Sequence, residues 1–164
     1  MDTIFVSYNH GSDYEYYERL SDRYGNDYKI LQDTSVDREI YSDMAEYVIA
    51  DVLSGFFTSG TCTLVLVGKE TWGDKYVDWE IEASLAAGGG LIGVQLPTLP
   101  VINNSVSMPG RLLDNVRSGY AIWRKWDDLI NRPDSLETWL HEAARMSGSL
   151  IRNGRERRLA TAVA

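Results

Sequence analysis

Five short apolar runs, separated by polar stretches with helical periodicity, set the pattern of this chain. Thr3–Tyr8 (TIFVSY), Tyr28–Gln32 (YKILQ), Thr63–Val67 (TLVLV), Leu91–Leu96 (LIGVQL) and Tyr120–Arg124 (YAIWR) have the length and β-branched or aromatic content of strands. Asn9-His10-Gly11, Gly68 and Pro97 stop the first, third and fourth. Between the first two runs, Ser12 with Glu15 three residues on predicts a capping box. It opens a helix whose inward stripe is Tyr14, Tyr17, Leu20 and Tyr24, ending at Gly25. A second helix is predicted from about Asp43 to Ser54, with Ala45, Val48, Ile49 and Val52 inward. A third follows the third strand, because Val77, Ile81 and Leu85 recur every four residues before Gly88-Gly89-Gly90. Residues 98–118 read as irregular, with a helical turn around Arg111–Val116. The last helix starts at Pro133-Asp134 and carries Leu136, Leu140, Ala143, Ser147 and Leu150.

Strands alternating with helices imply a parallel sheet covered on both faces. Five such units predict the flavodoxin-like order 2-1-3-4-5, whose ligand crevice lies beyond the carboxyl ends of strands one and three. Domain organisation follows: residues 1–151 form one domain, and 152–164 form a basic tail, thin in apolar residues and expected to fray.

Composition narrows the function more than the fold. A net charge of −8 over 164 residues argues against a generic nucleic-acid or anionic-membrane binder, since phosphates repel an acidic surface. No apolar run approaches the roughly 20 residues of a membrane span, and MDTIFVSY has no basic leader region. The single cysteine, Cys62, allows no disulfide framework and fits a reducing cytoplasm. Two distant histidines, His10 and His141, and no cysteine cluster argue against a metal site; His10 alone is placed where it could touch a ligand. Gly68-Lys69 fails as a P-loop, because Thr63 and Glu70 stand where Gly and Ser or Thr are needed. No GxGxxG follows the first strand, and SYNH and LVG lack the acidic residues of a phosphoacceptor site.

The candidate for chemistry is Glu80. It lies four residues after Tyr76, on a helix face about a hundred degrees from the apolar stripe, at the end of the sheet where α/β proteins bind ligands. Glu82 falls on roughly the opposite side and is expected to be solvated.

FVSY (5–8), SVDREI (35–40), VLVGKETWGDKYVDWEI (65–81), LIGVQLP (91–97) and MPGRLLDNVRSGYAIWRKW (108–126) together resemble the bacterial TIR-like proteins of Thoeris antiphage defence, the ThsB group. That resemblance implies a TIR-like three-layer fold and an enzyme that cleaves NAD+ at the nicotinamide–ribose bond. It also implies cyclisation of the ADP-ribose into a signal for a separate nucleotide-sensing effector. The family's catalytic glutamate follows an aromatic by four residues, here Tyr76 and Glu80; tyrosine replaces the commoner tryptophan. One carboxylate is sufficient, because a cationic pyridine leaves without protonation and the ribose becomes oxocarbenium-like. On the same footing, Trp72, Tyr76 and Phe5 are expected against the nicotinamide or adenine ring. Ser7 and Asn9 are expected at ribose or phosphate, and Asp33 and Asp37 in the loop that lines the cleft. NAD+ is substrate, no cofactor is called for, and a homo-oligomer fits the family. The alternative is a non-catalytic TIR interaction module.

Overall fold

In the computed structural model, which describes residues 2–33 and 53–162, the apolar runs form the expected strands. They are β1 (Thr3–Ser7), β2 (Lys29–Leu31), β3 (Cys62–Val67), β4 (Leu91–Gln95) and β5 (Ile122–Lys125). All pairings are parallel, in the order β2-β1-β3-β4-β5. The central strands β1, β3 and β4 are buried along almost their whole length, as a sheet covered on both faces requires. Register places Ser7 beside Val65, so the carboxyl ends of β1 and β3 open at one edge.

The helices are α1 (Tyr14–Tyr24), α2 (Lys75–Ala87), α3 (Gly110–Ser118), α4 (Trp126–Asn131) and α5 (Ser135–Ala144). Helix α1 and α5 close one core with Ile4, Val6, Leu64, Leu66, Ile92 and Val94. Helix α2 and α3 close the other with Val65, Val67 and Leu91. The alternation of β-strand side chains separates these two sets. Val77, Ile81 and Leu85 are fully buried, each stabilising the α2–sheet contact by about 1.5–3 kcal/mol.

Four readings of the sequence are corrected. Tyr16, not Tyr14, joins Leu20 and Tyr24 inside, and Tyr14 is 51% exposed. The helix starts one position later than expected: Asp13 is its N-cap, and Ser12 bonds back to the Asn9 Oδ1 instead. Residues 110–118 are a full helix rather than a turn in an irregular stretch. The stripe at the end of the last helix stops at Ala144, so that Gly148–Leu150 is a separate 3-10 turn. The predicted helix 43–54 lies outside the described residues except at its end, where Leu53 and Ser54 are helical.

The largest correction concerns the basic tail. Its residues 152–162 do not fray but run along the outer side of α2. The Trp79 indole donates to the Arg158 carbonyl at 2.7 Å and the Arg158 amide donates to Asp78 Oδ2 at 2.8 Å. Further on, the Ala162 amide donates to the Gly73 carbonyl at 2.9 Å. Glu82, expected in solvent, is held by Arg157 and by Arg111 at 3.4 Å. Composition predicted fraying because the acids that pair with Arg155 and Arg157, Asp114 and Glu82, lie 41 and 75 positions earlier.

Among the described residues, no helix is long and apolar enough to cross a membrane, and no cluster of His, Cys, Asp and Glu could hold a metal ion.

Candidate active site

Asp74 starts the helix that carries Glu80. Its Oδ1 accepts the Tyr76 and Val77 amides at 2.8 and 3.3 Å, the ordinary work of an aspartate N-cap. Its Oδ2 accepts the Asn9 side-chain amide at 3.1 Å, tying the end of β1 to the first turn of α2. At the other end, Gly88 adopts φ 77° and the Gly88 and Gly89 amides donate to Leu85 and Ser84, a Schellman close. The helix is thereby fixed at both termini.

Each side of α2 meets something different. Val77, Ile81 and Leu85 press on the sheet, while Tyr76, Trp79 and Ala83 pack with Leu53 and Phe56. Asp78 and Glu82 meet Arg111, which has no exposed surface. Glu80 and Ser84 meet strand hydroxyls: the Ser7 hydroxyl donates to Glu80 Oε1 at 2.8 Å, and Thr63 donates to Ser84 at 2.8 Å. Glu80 is 1% exposed. A carboxylate so enclosed interacts with a nearby positive charge far more strongly than it could in water.

The other expected site residues divide. Ser7 and Asn9 stand at the end of β1, bonded to Glu80 and Asp74. Asp33 is buried just past β2. Asp37 lies outside the described residues. Phe5 belongs to the core, packed on Phe56 and Phe57 at 5.5 and 4.6 Å between centroids; it sits two positions below Ser7, about 7 Å further from the mouth. Tyr76 stands edge-on to Trp79 at 5.4 Å, with Lys75 Nζ 5.2 Å from its centroid. Trp72 turns toward the tail: the Arg158 guanidinium lies 5.8 Å over its ring, and the ring lines a cavity of about 520 Å³ with Met108, Pro109 and Gly110. His10 stacks on Tyr8 at 4.3 Å. Asp74, Ser84 and Thr63 were not singled out in the sequence. The first was legible as an Asp directly before a periodic run, whereas the pair needed the strand register.

A further buried carboxylate sits at the same edge of the sheet. Asp13 is 2% exposed and its Oδ2 has no hydrogen-bond partner. The carboxylate approaches Gly68 so closely that a Cβ there would lie 2.6 Å from Oδ2. Burial, then the charges of Glu15 and Glu70, push its pKa up to about 6, against a weaker pull from the Thr71 hydroxyl. The folded state thus holds this proton more tightly than the unfolded chain. Asp13 supports the fold below pH 4, and that support is lost as pH rises through 6. Asp13→Asn should accordingly be more stable than the native chain at pH 7, by about 2 kcal/mol, and equal to it at pH 4. Urea unfolding at the two pH values measures this, and parallel stability curves for both proteins would refute it.

A five-stranded parallel sheet in this order, with a glutamate buried at the switch between its first and third strands, defines a TIR-like domain. The family described as "Thoeris protein ThsB, TIR-like domain" matches residues 5–100, a span that includes the end of β1 with Ser7, all of α2 and Glu80. The chain belongs to that family, which gives it a role in antiphage defence. A search of curated proteins gave no match.

Proposed function

We propose that this protein cleaves NAD+ at the nicotinamide–ribose bond with Glu80 as its catalytic carboxylate, and closes the ADP-ribose into a cyclic isomer. The observation that carries this reading is the Ser7–Glu80 pair, a buried carboxylate that accepts the Ser7 hydroxyl at the carboxyl edge of a TIR-like sheet. The ribose hydroxyls take the place of the Ser7 hydroxyl at Glu80, and the carboxylate steadies the positive charge that develops as nicotinamide departs. Because the carboxylate is almost fully covered, the ribose enters only when the side chains over it part. The same cover then keeps water from the ribosyl cation, so that a nucleophilic atom of the bound ADP-ribose captures it and closes the ring.

No cofactor is needed for this chemistry, since the leaving group is already cationic. The product is read by a separate nucleotide-sensing effector, self-association assembles the site, and the lone cysteine fits action in the cytoplasm. Nicotinamide release from NAD+ by the native chain, lost in Glu80→Gln, tests the proposal, with mass spectrometry of the product separating cyclic from hydrolysed ADP-ribose. Unchanged defence with Glu80→Gln would instead favour an interaction module.

A further inference from the structure

Glu80 is supported from the sheet by Ser7, and a second set of contacts holds α2 on the opposite side. Asp78 and Glu82 flank Glu80 at two positions either way, and each is turned about 200° from it. Both are gripped by one guanidinium with no exposed surface. Arg111 Nε donates to Asp78 Oδ1 at 2.9 Å, its Nη2 lies 3.4 Å from Glu82 Oε2, and its Nη1 donates to Asn153 Oδ1 at 2.9 Å. Asn153 in turn donates to the Glu82 carbonyl at 3.1 Å, and Arg157 holds the Glu82 carboxylate. Beyond it, the Arg158 amide caps Asp78 Oδ2, the Trp79 indole reaches the Arg158 carbonyl, and the Thr161 hydroxyl accepts the Lys75 amide at 3.2 Å. These contacts thus run along one side of the helix for about two turns, from Lys75 to Glu82.

We propose that Arg111 and the 152–162 segment act as a positioning clamp, fixing the rotation of α2 so that Glu80 faces Ser7 and the substrate ribose. This rests on the catalytic reading of Glu80, but the geometry of the clamp does not. A guanidinium is suited to the task because its planar fork reaches two carboxylates and an amide oxygen at fixed angles, which an ammonium cannot do. Both parts of the clamp, Arg111 and the tail, lie beyond the 5–100 span that matches the family.

Two substitutions in the full chain test it. Arg111→Lys keeps the buried charge and loses the fork. Gly73→Ala leaves every clamp side chain in place but puts a methyl where the Ala162 carbonyl oxygen would be 2.4 Å away, lifting the end of the tail. Amide hydrogen exchange should quicken at least tenfold over residues 76–82 in both variants while β1 and β3 stay protected. For NAD+ cleavage, kcat should fall about tenfold in Arg111→Lys and about threefold in Gly73→Ala, with KM changed less than twofold. Exchange that quickens equally throughout the sheet would mean a merely structural role and overturn the clamp, as would folded variants with native exchange and native kcat. Local loss of protection in a protein whose native form does not consume NAD+ supports the clamp and removes the enzymatic reading instead.

Discussion

Glu80→Gln should cut nicotinamide release from NAD+ by about a hundred- to a thousandfold, the loss seen when a group that stabilises transition-state charge is removed. Glutamine has the size and shape of the native side chain, and its carbonyl oxygen can still accept the Ser7 hydroxyl. What disappears is the full negative charge, in a site where only 1% of the residue is exposed and little water competes. An isosteric amide carries no cost of burying a charge, so the melting temperature should be unchanged or higher. Loss of turnover with retained stability is therefore the expected pair of results. Side-by-side assays on purified protein and on infected cells give the measurement. Equal nicotinamide release by native and substituted chains in both settings would take Glu80 out of the mechanism.

Gly89→Ala should cost about 3 kcal/mol of stability, the largest loss expected from adding one methyl group anywhere in the described chain. A Cβ at this position would stand 2.1 Å from the Thr61 carbonyl oxygen, which is backbone and cannot swing aside. The Gly89 carbonyl also accepts the buried Tyr120 hydroxyl at 2.6 Å, so a shift of this turn breaks a second contact. Its neighbour Gly88 offers a control. There the backbone is left-handed, at φ 77°, but the space is open, and Gly88→Ala should cost only about 1 kcal/mol. Urea unfolding of the three proteins measures both differences; equal losses at the two positions would show that close approach is not the deciding effect.

The sheet could be read from the sequence because its central strands are buried on both faces and so appear as unbroken apolar runs. Thr63–Val67 and Leu91–Leu96 need no tertiary information. Glu80 was legible for a related reason: the Val77–Ile81–Leu85 stripe sets the phase of the helix and so the direction of everything else on it. Helix α3 was not legible, because its inward side carries Arg111 and Asn115 with Leu112, and two polar residues interrupt the apolar period. The phase of α1 was misread because tyrosines at 14, 16 and 17 offer competing stripes, and only packing on Trp126 at 5.1 Å selects Tyr16. Glu82 and the tail were missed together. Trp79, off the main stripe, was the one local sign that α2 is covered on a second side; which segment covers it depends on pairs far apart in sequence.

Cys62 begins β3, half-buried beside Gly90 and against the core, and burial pushes its thiol up to about 12. A thiol raised in this way holds little of the thiolate that alkylating reagents attack. Since this is the sole sulfhydryl in the chain, the native protein should react only slowly with maleimides. A cysteine introduced at exposed Leu159 would take a fluorophore first, reporting in real time whether the strap over α2 lifts when a phage component or NAD+ arrives.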